Sequence, residues 1–142
     1  MLLLHGLGGT LDDWDRLELD GRGSVAMDLR GHGLSGEGPW EWERVLDDVE
    51  AVVRHLDLGS PAVVGHSLGG MLAVQWALRH PECPARCAAP GGGSLHAGVP
   101  RHDSSVAWAR LPPHVQVTEL DAGHDMLTAQ PTAVRDLIAA AL

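Results

Sequence analysis

The sequence predicts an α/β fold, with a mostly parallel sheet that carries helices on both faces. Three observations lead there. Short apolar runs alternate with stretches of helical periodicity, Gly or Pro marks the joins, and one join places a glycine two residues either side of a serine. Strands alternating with helices require right-handed crossovers, and these give parallel pairing with helices above and below the sheet.

Taken in order, the strand candidates are Met1–Leu4, Ser24–Asp28, Ala62–Gly65, Arg86–Ala89, Ser94–Ala97 and Val115–Leu120. Arg86–Ala89 is rich in small residues and offers little strand signal of its own. The clearest helix is expected over Trp40–Leu58, where Val45, Val49, Val52, Val53 and Leu56 recur at helical spacing before Gly59 and Pro61 stop the run. A second helix is expected over Leu68–His80, ended by Pro81. A third opens at Pro131-Thr132 and shows Val134, Leu137, Ile138 and Ala141 on one face. The stretch from Pro84 to Asp103, with Pro90, Pro100 and Gly91-Gly92-Gly93, lacks periodicity and reads as a loop or a shortened join.

Length and charge bound the function. The 142 residues are expected to form a single domain over 1–142, and 44% of them are hydrophobic, enough for one core without disulfides or metals. Ten basic against 19 acidic side chains give a net charge of −9, which argues against a nucleic-acid partner. No apolar run has the length of a membrane span, and the short Met1–Leu4 run lacks the form of a signal peptide, so a cytoplasmic protein is expected. Cys83 and Cys87, four apart with no second pair, read as free thiols rather than metal ligands.

The chemistry centres on Gly65-His66-Ser67-Leu68-Gly69. The apolar run before it and the helical run after it supply a strand, a sharp turn and a helix, the setting that lifts a serine hydroxyl off a sheet. Three more segments stand in order around it: His5-Gly6 after the first strand, Asp28-Leu29-Arg30-Gly31-His32-Gly33-Leu34-Ser35 after the second, and Asp121-Ala122-Gly123-His124 after the last. Gly31–Gly36 also satisfies G-x-G-x-x-G. Glu37-Gly38-Pro39 follows where a dinucleotide-binding helix would have to begin, which argues against that use. A Walker A loop is excluded because the chain has no lysine.

Together the four segments resemble the α/β-hydrolase superfamily in its esterase, cofactor-free haloperoxidase and carbon–carbon hydrolase branch. The resemblance implies a truncated α/β-hydrolase fold without the family's first two strands and without a lid or cap domain. It implies Ser67 as nucleophile and His124 as general base, an assignment consistent with the need of a weak hydroxyl nucleophile for a neighbour of pKa near 7. The backbone N–H groups of Leu7 and Leu68 would then form an oxyanion hole. For the triad acid Asp103 is preferred, because it lies between Ser67 and His124 in the chain. Arg101 stands where the family's acid is expected, so Asp121, or no acid at all, remains an alternative, and Asp103 could instead cap a helix over Val106–Leu111. Asp28 and Arg30 are expected to brace their loop rather than to catalyse. Trp14, just past the first turn, is expected to wall a substrate pocket.

The implied activity is hydrolysis of carboxylic esters or related small acyl substrates, with no cofactor and no metal. Two other readings stay open: a relic or binding module that keeps the elbow without a competent triad, and a perhydrolase or carbon–carbon hydrolase. Shortening would also leave Ser24–Asp28 as an exposed sheet edge.

Overall fold

The computed structural model describes residues 1–19, 23–90, 111–120 and 125–139. Five strands form one parallel sheet: β1 (Leu2–Leu4), β2 (Val25–Met27), β3 (Val63–His66), β4 (Ala85–Pro90) and β5 (Val115–Leu120). Their spatial order is β2-β1-β3-β4-β5, so β1 has a neighbour on each side. Leu2 is level with both Val25 and Val63, and this register carries the ends of β1 and β3 to the same edge of the sheet.

Two layers of helix follow from the apolar character of the central strands. Leu2, Leu4 and Val63 point to one face, while Leu3 and Val64 point to the other, and all five are buried. A strand with both faces buried reads as a continuous apolar run, as β1 and β3 do. On the first face lie α1 (Trp42–His55), through Val45, Leu46, Val49 and Val53, and α2 (Leu68–Arg79), through Leu72, Ala73, Trp76 and Ala77. On the second lie a 3-10 helix (Leu11–Leu17), α3 (Met126–Ala129) and α4 (Pro131–Ala139), whose Trp14, Leu17, Met126, Leu127, Val134 and Ile138 form a separate core.

Most elements stand where the sequence predicts them. The first long helix is shorter than expected, running from Trp42 to His55. Trp40 lies outside it and meets the His32 ring edge-on at 5.9 Å. The faint strand candidate at Arg86–Ala89 extends over Ala85–Pro90 and pairs on both sides, with β3 and with β5. Its place in the sheet comes from those two neighbours, and small residues give little strand propensity to detect. The 3-10 helix and α3 are too short to show periodicity and were not expected. Strand β2 is a sheet edge, as anticipated, pairing only with β1 among the described residues. The expected strand Ser94–Ala97 and helix Val106–Leu111 lie outside the described residues, the final residue of the latter excepted. Among the described residues no helix is long and apolar enough to cross a membrane, and no group of His, Cys, Asp and Glu has the arrangement of a metal site.

Candidate active site

Strand β3 ends at His66 and α2 begins at Leu68, which leaves Ser67 alone to turn the chain. It does so at φ 51°, ψ −112°, a positive-φ conformation that a residue with a Cβ adopts only under strain, at a cost of about 1–3 kcal/mol. The flanking glycines are required by contact. A Cβ on Gly65 would fall on the backbone of Gly69 and Gly70, and one on Gly69 would fall on the carbonyls of Leu4 and His5. The spacing of small residues around the serine therefore encodes close packing of α2 on β3 and β1.

The turn after β1 is built against this elbow. A Cβ on Gly6 would come within 2.9 Å of His66 Nδ1 and 3.4 Å of the Ser67 Cβ, so the backbone at Gly6 runs directly beside the serine. The Gly6 carbonyl accepts the Gly9 N–H at 3.0 Å, closing a tight turn in which Gly8 has φ 75°. Only glycine takes that conformation without cost. Leu7, at the tip, is 67% exposed, whereas Leu68 is buried as the first residue of α2. The positive end of the α2 dipole thus starts at the serine, favouring negative charge there.

A second tier holds these turns in place. The Asp28 carboxylate accepts the Leu11 N–H at 2.8 Å on one oxygen and the Leu34 N–H at 2.9 Å on the other, tying the 3-10 helix to the loop after β2. Ser35 Oγ donates to the Asp28 carbonyl at 2.8 Å. A Cβ on Gly33 would overlap the Asp28 carboxylate, so the glycine makes room for the brace. The Leu34 hydrogen bond, followed by that from Leu11, holds the Asp28 carboxyl below its ordinary pKa against the opposing effect of burial. Arg30 joins the same loop to α1 through a bidentate pair with Asp48, with both N···O distances 2.8 Å. That pair raises the guanidinium pKa further. The bracing roles expected of Asp28 and Arg30 are thus observed.

Deeper still lies His5, with no exposed surface. Its Nδ1 is 2.7 Å from the Gly6 carbonyl and its Nε2 accepts the Leu29 N–H at 2.9 Å. An acceptor at one nitrogen and a donor at the other fit only the neutral ring protonated on Nδ1. Burial, with a smaller contribution from neighbouring His32, lowers its pKa, while the Gly6 carbonyl, Asp28 and Asp13 oppose the shift. Sequence reasoning assigned His5 no task. The one signal was a histidine closing an apolar strand beside a glycine.

Of the residues expected to act together, Leu68 opens α2 directly after Ser67, and Leu7 follows Gly6, whose backbone runs beside the serine. Trp14 belongs to the second core. It is 3% exposed in the core between the 3-10 helix and the sheet, and it lines a cavity of about 540 Å³ with Leu3, Leu19 and Ala26 that contains no elbow residue. His124, Asp103 and the alternative Asp121 lie outside the described residues. Asp125, the residue after His124 in the chain, precedes α3, and its carbonyl accepts the Thr128 and Ala129 N–H groups.

This chain belongs to the alpha/beta hydrolase fold family, whose sequence model matches residues 1–89. It is 34% identical over 122 residues to Epoxide hydrolase 3 of Xenopus tropicalis, a match covering 78% of this chain and 33% of that protein. It is 36% identical over 87 residues to the AB hydrolase superfamily protein YisY of Bacillus subtilis (strain 168), covering 56% of this chain and 32% of the relative. A hydrolase from Thermoplasma acidophilum described as CIB-like shares the fold at a TM-score of 0.77, with 16% identity, over 98% of this chain and 83% of its own. The chain spans about a third of the length of the curated relatives it matches.

Proposed function

We propose that the protein is a serine hydrolase that cleaves carboxylic esters or related small acyl substrates. The observation that carries the reading is Ser67 itself, held in a costly positive-φ conformation at the head of α2 with the Gly6 turn against it. Strain of this kind persists where the surrounding structure imposes it, and it concentrates at functional sites.

In the proposed reaction the Ser67 hydroxyl attacks the ester carbonyl carbon while His124 takes its proton. The carbonyl oxygen becomes an oxyanion and accepts hydrogen bonds from the Leu7 and Leu68 amides, donors aimed at charge that develops only in the transition state. Collapse of the tetrahedral intermediate expels the alcohol, which receives the proton from His124, and leaves an acyl ester on Ser67. Water then attacks that ester, His124 again acting as base, to release the carboxylic acid and restore the serine. Asp103 is proposed to hold His124 in the required tautomer. For Trp14, expected as a pocket wall, burial favours support from behind: it anchors the 3-10 helix that follows the Gly6 turn.

The test is covalent labelling by a fluorophosphonate, comparing the wild type with Ser67→Ala. Labelling of the wild type alone supports the reading. No labelling, or labelling that survives the substitution, overturns it.

A further inference from the structure

We infer that His5 is a positioning residue that aims the Leu7 amide at the Ser67 site by holding the Gly6 carbonyl. This rests on the serine-hydrolase reading for its chemical meaning, though the device itself is geometric. The Gly6 carbonyl and the Leu7 N–H belong to one peptide unit, which is planar and trans, so they point in opposite directions. Fixing the carbonyl therefore fixes the amide. The carbonyl is held twice, by His5 Nδ1–H at 2.7 Å and by Gly9 N–H at 3.0 Å. Among the described residues no backbone acceptor faces the Leu7 N–H.

The ring cannot drift or change tautomer cheaply. It has no exposed surface, and Leu29 N–H donates to its Nε2 at 2.9 Å. Leu29 adjoins Asp28, whose carboxylate holds Leu11 and Leu34. The loop after β2 therefore holds the segment after β1 at two points, at Leu11 through the Asp28 carboxylate and at Gly6 through the imidazole. Protonating the ring would remove the acceptor for Leu29 and leave a buried N–H facing another. Burial lowers the His5 pKa and keeps the ring neutral near pH 7.

Two substitutions separate positioning from mere packing, because each mimics one ring nitrogen. In His5→Asn the amide nitrogen lies where Nδ1 stood and can still donate to Gly6, while nothing reaches Leu29. In His5→Gln the side-chain oxygen can accept from Leu29, while nothing reaches Gly6. With p-nitrophenyl acetate, His5→Gln should lower kcat about 100-fold, the scale of losing one oxyanion donor, with KM changed by less than about three-fold. His5→Asn should recover kcat to within about ten-fold of wild type although both variants lose thermal stability. Equal kcat losses in the two variants, or a smaller loss in His5→Gln, would overturn the proposal.

Nuclear magnetic resonance keeps the test independent of catalysis. The ¹⁵N shifts of wild-type His5 should report a neutral ring protonated on Nδ1, and the Leu7 N–H residual dipolar coupling should change in His5→Gln but not in His5→Asn. A ring protonated on Nε2, or one coupling shared by all three proteins, also overturns it, including the case where a variant fails to fold and only the wild-type ring can be read. A wild type inert to fluorophosphonate that still gives these signals removes the serine-hydrolase reading and leaves the positioning intact.

Discussion

Gly69, in the first turn of α2, lies against the backbone carbonyl of Leu4 at the end of β1, so the helix behind Ser67 touches the strand that runs into the Gly6 turn. A side chain at Gly69 has no room. The elbow and the turn are held in register by contact between backbones, and backbones, unlike flexible side chains, cannot step aside.

The same logic applies at Gly65, where an added Cβ meets the Gly69 carbonyl and the Gly70 nitrogen. Gly65→Ala should cost about 3 kcal/mol, at the upper end for overpacking because only backbone can yield. Urea denaturation measures this, and an alanine variant within 1 kcal/mol of wild type (about the cost of a tolerated swap) would mean that α2 stands further from β3 than described.

Asp28→Asn should destabilise the protein by about 1.5–3 kcal/mol, the worth of hydrogen bonds to a charged group, because an amide can satisfy only one of the two N–H donors with oxygen. The pH dependence should change as well. The folded-state pKa of Asp28 lies below its ordinary 3.8, so its contribution is present above that value and is lost as pH falls further. Thermal unfolding between pH 5 and 2 should show a shallower acid decline in the variant.

His5 acts in a separate window. Its folded pKa lies below the ordinary 6.5, so the unfolded chain binds more protons between the two values and stability falls as pH drops below 6.5. One such group contributes at most about 1.4 kcal/mol per pH unit. His5→Gln should be less stable at pH 7.5 and should lack this part of the decline. A slope between pH 7 and 5 equal to that of wild type would contradict a buried neutral ring.

Trp14→Ala should remove about 3–5 kcal/mol of stability, as expected for a large side chain deleted from a core. In variants that stay folded, the preference among short and medium acyl esters should be unchanged. A marked shift in preference without loss of stability would restore the ring to the wall of a substrate pocket.

Asp103→Asn should lower kcat by ~10⁴ if its carboxylate orients His124, with little change in the rate of unfolding. A rate within a few-fold of wild type would leave Asp121, or no acid, as the alternative.

What the sequence determined by itself is what neighbouring residues decide among themselves. Apolar runs with no polar face specify strands buried on both sides, as β1 and β3 are, and the glycine spacing around Ser67 specifies a tight strand-to-helix turn, since steric fit acts over a few residues. The order of the four motifs was legible for the same reason. The position of β4 between β3 and β5, the two amides on Asp28 from Leu11 and Leu34, the burial of Trp14 and the grip of His5 on Gly6 and Leu29 were decided by tertiary structure. Leu29 stands 24 residues from His5, and Leu11 stands 17 from Asp28. No periodicity links such pairs, because a polar group finds its partner only after hydrophobic packing has brought the two segments together and excluded the water that would otherwise satisfy both.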